Sequence, residues 1–356
     1  MATARPDLIA LARDARGLTQ AKLATLAGMS QARISKVESG AVPLDLEPLS
    51  RIAKALELPM EFFFRQDSAH VGGACFKYRK RAATGARNLR QIEACASMQA
   101  MRVDSLLKGI ELEPPYQFPR LDVGVEGDFE TPTEAAIRVR ALWGLPRGPI
   151  HDLTAVVEAA GALVIRTEFD TPLVDAQSVW TPPRVPMIFV NKNLSGERQR
   201  WTVAHETGHL VMHHRPSGDE EGEADEFAGE LLMPQAEIRP LLNNLTLDKL
   251  ATLKVQWKVS MAAILVRARR IGAIDADRYR FLNMEISRRR WRREEPNPIP
   301  AEQSATLNQI LRFHVEELKY SLEDLCRLVT ALPHEFLETF GFPAPAAEKR
   351  SLFRAL

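Results

Sequence analysis

The sequence has no run of the roughly 18 apolar residues that a membrane span needs, and MATARPDLIALARDARG has neither the apolar core nor the small-residue cleavage site of an export signal. It predicts neither a transmembrane nor a secreted protein. Cysteine is scarce: Cys75, Cys95 and Cys326 are odd in number, far apart and in no CxxC spacing. They exclude a disulfide framework and read as reduced thiols, so a cytoplasmic location is expected. An excess of one charge is missing too, with 47 Lys/Arg against 46 Asp/Glu, so the overall balance names no partner. Internal repeats and low-complexity tracts are absent apart from one arginine cluster. What remains, 45% apolar and 26% charged residues over 356 positions, is ordinary globular composition with room for two or three domains.

Charge is segregated along the chain instead. Phe76 to Lys108 carries eight Lys/Arg against two acids, Pro216 to Glu237 carries eight acids and no Lys or Arg, and Arg267 to Arg293 is basic again, ending in SRRRWRREE. Each run is either a solvated helix face or, beside a DNA-reading motif, part of an electrostatic footprint.

Residues 6 to 64 keep helical periodicity, punctuated by Gly17, Gly28 and Gly40 with Pro43 and Pro59 near helix boundaries, which fits five short helices. Thr84 to Ile110 predicts one long helix, whose Leu89, Ile92, Ala96, Val103, Leu106 and Ile110 follow a 3,4 spacing broken at Gln99. It packs either on its own chain or as a dimer seam. Glu113-Pro-Pro-Tyr and Leu121 to Pro132 read as linker. Thr131, Pro132 and Glu134 then form a capping box with proline at the first helical position. A helix to about Trp143 follows, and a second runs from His151, which suits a cap, to Ala160. Ala162 to Phe169 and Pro186 to Asn191 are rich in strand formers, and helices resume at Arg198. Pro296-Asn-Pro-Ile-Pro300 sets off a helical tail that holds no motif. The expected division is residues 1–68, a connector over 69–130, a second domain over 131–295 and a tail over 296–356.

In LTQAKLATLAGMSQARISKVESG (Leu18 to Gly40), Thr19 caps one helix, Gly28 makes the turn and Ser30 caps the next. Ala24, Leu26, Ile34 and Val37 fall where two crossed helices touch. The stretch resembles the helix-turn-helix of the phage-repressor-like (XRE) regulators over about 60 residues, with Leu49 to Leu56 and the following LPMEFFF matching the later helices. The resemblance implies that the helix from Ser30 to Ser39 enters the major groove of double-stranded operator DNA. Gln31, Ala32, Ser35 and Lys36, together with Arg33, then face base edges. Gln20 holds a phosphate, which positions without specifying. One such unit spans a half-site, so a homodimer on DNA is expected.

In WTVAHETGHLVMHH (Trp201 to His214), His205 and His209 lie one helical turn apart and can share one Zn²⁺, with Glu206 between them placed to take a proton from water. A catalytic zinc needs a third protein ligand as well. Asp219 to Pro234 supplies candidates: Ala224, Phe227, Ala228 and Leu231 form an apolar helical face, with Glu221 and Asp225 four apart beside it. One carboxylate can bind the metal while the other orients a histidine. Glu223 competes with Glu221, because spacing does not separate them. His213 and His214 follow His209 by four and five residues, whereas a metzincin has its third histidine six residues on, where this chain has Arg215. They read as helix-end histidines, with His213 as a rival ligand.

HETGHLVMHH and EGEADEFAGELLMP, preceded by IFVN and followed by LKVQWKVSMAAILVRARRIGAI, resemble the ImmA/IrrE metallopeptidases across about residues 130 to 285. The resemblance implies a gluzincin-like site in which His205 and His209 are ligands, Glu206 is the general base and Glu221, opening ExxAD, is the third ligand. Asp225 falls at a position often held by Asn or Asp. It also implies a second helix-turn-helix-like element over Leu247 to Ile274, with Trp257, Ser260 and Met261 on its pattern. Such proteins cleave repressors that carry an XRE-type domain, and this chain is similar to members in which the two domains are fused. The expected fold is mainly α and multidomain: an all-α helix-turn-helix domain, an α+β zincin-like metallopeptidase domain and a helical tail. The expected activity is zinc-dependent cleavage of a repressor-like protein or of the chain itself. The alternatives are a regulator whose peptidase-like domain is a non-catalytic sensor, and a toxin-antitoxin-like interaction protein. For the group that stabilises the oxyanion, Tyr279 and the arginines near it are the candidates.

Overall fold

Four short helices open the chain: α1 (Pro6–Ala15), α2 (Gln20–Ala27), α3 (Gln31–Glu38) and α4 (Leu46–Ala55). A computed structural model describes residues 3–66, 86–124, 127, 129, 131–169, 174–180, 185–214, 218–342 and 353–355. Cys75, Arg215, part of the linker and the first part of the basic run from Phe76 lie outside the described residues. Local chemistry sets the helix ends. The Thr19 hydroxyl accepts the Lys22 N–H, the Ser30 hydroxyl accepts the Arg33 N–H, and Gly28 closes the turn between them at φ 63°. In place of a fifth α-helix, Met60–Phe64 is a 3₁₀ turn that buries Phe62 and Phe63. Leu23, Ala24, Ala27, Ile34 and Val37 form the contact between α2 and α3, but Leu26 is 50% exposed. At 3.6 residues per turn the three buried positions of α2 span about 100° of its circumference, and Leu26 lies about 60° beyond them.

The long helix α5 (Ala86–Leu107) packs on its own chain. Ala94, Met98 and Met101 join the core of the first unit, while Ala96, Ala100, Val103 and Leu106 join a second core. Polar groups strengthen this junction. Buried Arg65 donates to the Met101 carbonyl and the Ser105 and Thr330 hydroxyls, and Arg16 and Arg102 both pair with Glu335 at 2.9 and 2.8 Å.

Beyond α5, β1 (Ile110–Leu112) pairs antiparallel with β5 (Phe353–Ala355). The capping box forms at Thr131 and Glu134 and starts α6 (Pro132–Leu142). In α7 (Leu153–Ala159) the cap is Asp152, which accepts the Ala155 N–H, and not His151. The small sheet comprises β2 (Leu163–Thr167), β3 (Ala176–Val179) and β4 (Met187–Asn191) in the order β2-β4-β3, with β2 parallel and β3 antiparallel to β4. Val164, Ala176, Ile188 and Val190 join one core, and Leu163, Ile165, Val179, Met187 and Phe189 the other. Burial on both faces explains the continuous apolar runs of β2 and β4. The strand β3, AQSV, is short and half polar, and its sequence carries no such run.

The rest is helical: α8 (Gly196–Met212), α9 (Glu220–Leu232), the single turn α10 (Gln235–Ile238), α11 (Leu247–Trp257), α12 (Met261–Arg270), α13 (Ala276–Arg288), α14 (Thr306–Glu316), α15 (Leu322–Val329) and α16 (Pro333–Phe340). The α11–α12 pair has the helix-turn-helix shape that the resemblance implies, with Ser260 capping α12 and Trp257 and Met261 buried. Arg288, Arg289, Arg290, Arg292 and Arg293 at and beyond the end of α13 are exposed. The tail, which shows no motif, supplies the apolar cover for the second face of the sheet through Ile310, Leu311, Leu325, Val329 and Phe336.

Glu158 ties this tail to α7. Its buried carboxylate accepts the N–H groups of Ala305 and Thr306 at 2.9 and 3.3 Å. Burial outweighs those hydrogen bonds and lifts its pKa from the usual 4.5 to about 7. A folded pKa above the unfolded one makes the contribution full in acid and lost as pH rises through about 7, by about 3 kcal/mol. Urea unfolding at pH 5 and pH 8 should show this fall, and Glu158→Gln should flatten it. An unchanged slope in the variant would exclude Glu158 as its source.

Candidate metal centre

Helix α8 carries HETGH, and α9 crosses it closely at Gly208, where a Cβ would sit 3.0 Å from the Phe227 ring. This approach carries the first turn of α9 over the two histidines of α8. His205 and His209 are 2% exposed and Glu206 1%. The Nε2 atoms of His205 and His209 are 3.1 Å apart, and the Glu221 carboxylate lies 3.5 and 3.4 Å from them. Zinc bonds of about 2.0–2.1 Å in a tetrahedron put neighbouring donors about 3.3 Å apart. The two imidazole nitrogens and the Glu221 carboxylate, whose Oε2 faces His205 and Oε1 faces His209, therefore suit Zn²⁺ in spacing and in donor chemistry. His205, His209 and Glu221 also form the metal-capable cluster found among the described residues.

The other ring nitrogens define which donor atoms are available. His205 Nδ1 lies 2.9 Å from Asp225 Oδ1, so that nitrogen donates to the carboxylate and Nε2 is the atom left for a metal, which would displace its proton. On the other side, His209 Nδ1 is 2.8 Å from His213 Nδ1, and His213 Nε2 is 2.8 Å from Glu223 Oε2. Glu223 can only accept, so His213 donates from Nε2 and accepts at Nδ1, and His209 donates from Nδ1 and keeps its lone pair at Nε2. Two imidazole Nε2 atoms and a carboxylate thus face one point. Burial pulls the His205 imidazolium down, but Asp225, Glu221 and the charge of Glu206 outweigh it and raise its pKa to about 9. Burial drives His209 down to about 4, and the two histidines hold Glu221 far below the usual carboxylate range.

This geometry separates the alternatives that spacing leaves open. Glu221 faces both Nε2 atoms, while Glu223 holds His213. His213 points at the far nitrogen of His209 and not at the donor triangle, and His214 pairs with Asp122 at 2.7 Å. Tyr279 packs on the main core. Residues without any signal in the sequence also come to the site: Arg120 from the connector and Ser178 and Trp180 line a small recess with His209 and His213, and the Arg120 guanidinium lies 4.9 Å over the Trp180 ring.

On α3, Gln31, Ala32, Arg33, Ser35 and Lys36 are all exposed, while Ile34 and Val37 turn inward. Gln20 is half-buried, and its amide donates to Glu38 at 2.8 Å, where Arg13 also pairs. The structure therefore gathers five of the six expected DNA contacts on one outward face and engages the sixth at the end of α3.

A helix-turn-helix unit followed by a helical core holding a His-His-Glu cluster defines a DNA-binding regulator with a peptidase-like domain. Residues 9–63 match the family described as helix-turn-helix, and residues 157–269 match the family described as the IrrE N-terminal-like domain. The chain carries an XRE-type helix-turn-helix domain fused to an ImmA/IrrE-type domain of the peptidase kind, and its fold is mainly α and multidomain. It matches no curated protein and no solved structure. Among the described residues no helix is long and apolar enough to cross a membrane.

Proposed function

We propose that this chain is a transcriptional regulator that reads operator DNA through α3 and carries a working zinc endopeptidase centre, which cuts a repressor-like protein or the chain itself. The observation that carries the proposal is the convergence of His205 Nε2, His209 Nε2 and Glu221, with buried Glu206 on the same helical turn. His205, His209 and Glu221 would hold the zinc. Asp225 orients His205, and His213, held by Glu223, orients His209. When bound, the zinc would act as a Lewis acid toward a water and the scissile carbonyl. Glu206 takes the proton from that water and passes it to the leaving amine.

Purified protein should contain near-stoichiometric zinc and cut a co-incubated repressor-like substrate, and failure to take up zinc on reconstitution would reject the reading. Losing an orienting partner costs metal affinity about 10–100-fold. His213→Ala should therefore weaken zinc binding by that factor in competition with a chromophoric chelator, and His213→Asn, which keeps an acceptor near the Nδ1 position, should recover part of it. Equal affinities in the three proteins would remove His213 from this role.

DNA reading rests on the exposed face of α3, and we propose a homodimer, since one unit spans a half-site. With an operator selected in vitro, Gln31→Ala together with Lys36→Ala should abolish the preference for operator over random DNA, whereas Gln20→Ala should weaken both alike. Equal loss on both DNAs from the α3 change would argue against α3 as the reader. A monomer on operator DNA by light scattering would overturn the dimer.

A further inference from the structure

Arg288, Arg289, Arg290, Arg292 and Arg293 place five exposed cations within six residues. The chain reverses there in a fixed shape. The Arg290 N–H donates to the Ser287 carbonyl and the Trp291 N–H to the Ile286 carbonyl, each at 3.0 Å, which closes α13 with Arg290 in the left-handed region at φ 61°. Trp291 packs against the core of the peptidase-like domain and pins the turn, with the Arg289 guanidinium 5.1 Å over its ring. Arg292 is laid back along α13, donating to Ser287 Oγ at 2.6 Å and to Asn283 Oδ1 at 2.8 Å. The five arginines therefore stand on a built turn.

Few negative charges answer them. Glu285 is shared by Arg288 at 3.2 Å and Arg289 at 3.9 Å, Glu295 is taken up by Lys254 and the first turn of α12, and Glu294 is exposed beside the cluster. Among the described residues no ion pair holds Arg290, Arg292 or Arg293. The carbonyl end of a helix favours cations within its last turn, which accounts for Arg288 and Arg289. Arg290, Arg292 and Arg293 lie beyond it, where like charges repel and a polyanion would relieve the repulsion.

We propose that this arginine turn is a second DNA surface, which binds the phosphate backbone of a duplex without regard to sequence and so brings the peptidase-like domain onto the DNA. Guanidinium groups pair with phosphate oxygens through two N–H groups at once, and duplex DNA carries one negative charge per about 1.7 Å of axis. Such contacts add affinity but read no bases. Two features favour DNA over an anionic membrane surface. The same chain carries α3, and a duplex held there meets the arginine turn at a raised effective concentration. The large apolar side chains that α13 exposes are only Phe281 and Met284, and the Arg278 guanidinium lies 5.4 Å over the Phe281 ring, too small an apolar face to enter a lipid interface. The effective-concentration argument rests on DNA reading by α3; nothing in the proposal rests on the peptidase reading.

The test measures binding of the full-length protein to a random-sequence duplex and to the selected operator by fluorescence anisotropy over a series of KCl concentrations. Arg290→Gly with Arg292→Gln and Arg293→Gln removes three phosphate contacts, so the slope of log K against log[KCl] should become shallower by about 2.7, at 0.9 per contact. Operator and random duplex should weaken by the same factor, which leaves their ratio unchanged. Glycine suits the left-handed position that Arg290 occupies, so Arg290→Gly alone should keep or raise the midpoint of urea unfolding while the slope falls by about 0.9. The change of Gln31 and Lys36 to Ala reports on α3 separately, because it removes the operator preference that the arginine variants keep. A wild-type slope in the triple variant, or a loss confined to the operator, would overturn the proposal. So would a lowered midpoint with unchanged slope for Arg290→Gly, which would make the turn structural. If the triple variant does not fold, the slope of Arg290→Gly decides alone. Phosphatidylglycerol vesicles that bind wild type more tightly than the random duplex at equal salt, and lose the triple variant, would make lipid the partner and overturn the DNA surface.

Discussion

Replacing Glu206 by Gln should lower the rate of peptide cleavage by about 10²–10⁴-fold while the zinc content stays unchanged. The two side chains have nearly the same shape, and Glu206 is 1% exposed within α8, so the substitution keeps the packing. It also leaves His205, His209 and Glu221 in place. What is lost is the ability to take a proton from water and return it to the leaving amine. Single-turnover cleavage of a repressor-like substrate, read by mass spectrometry beside zinc analysis of both proteins, separates the outcomes. Cleavage retained in the variant would place the base elsewhere. A zinc-loaded wild type that cuts nothing, with operator binding intact, would make the domain a sensor.

Lys254→Ala should destabilise the fold by about 3–5 kcal/mol, the usual cost of removing one partner from a buried ion pair. The Lys254 side chain is fully buried, and its ammonium lies 2.6 Å from Glu197 and 3.0 Å from Glu295. Without it, two buried carboxylates face each other with no cation between them. Glu197 sits in the first turn of α8, and Glu295 also accepts the Met261 N–H at the start of α12. The loss therefore falls where the trailing helices hold the helix of the metal centre. Urea unfolding measures it, and the triple change Lys254→Met, Glu197→Gln, Glu295→Gln should recover much of the loss, because it removes the charges together. A loss under about 1 kcal/mol for Lys254→Ala would mean that the three groups are solvated.

The features legible in the sequence act over a few residues. Thr19, Gly28 and Ser30 mark helix ends through bonds to backbone groups three residues away, so the helix-turn-helix can be read without tertiary information. The mistaken placement of Leu26 at the helix contact is an error of one helical step, in a helix of only eight residues with buried alanines. His205 and His209 share a helix face by periodicity alone. The rotation of α9 about its axis is different: it follows from the seating of Phe227 on Gly208, and it decides that Glu221 faces the histidines while Glu223 reaches His213.

By itself the sequence determined the kinds of unit present, the second helix of the helix-turn-helix with its polar outward positions, the pair of histidines with their glutamate, and a short choice of third donors. Each of these depends on helical spacing, capping or residue chemistry. Only the tertiary structure brought Glu221 to the Nε2 atoms of both histidines and Glu223 to His213, brought Arg120 and Trp180 to the recess, packed α5 on its own chain and laid the tail across the second face of the sheet. Those outcomes join residues from distant parts of the chain, and they depend on how apolar faces pack together, which no local pattern encodes.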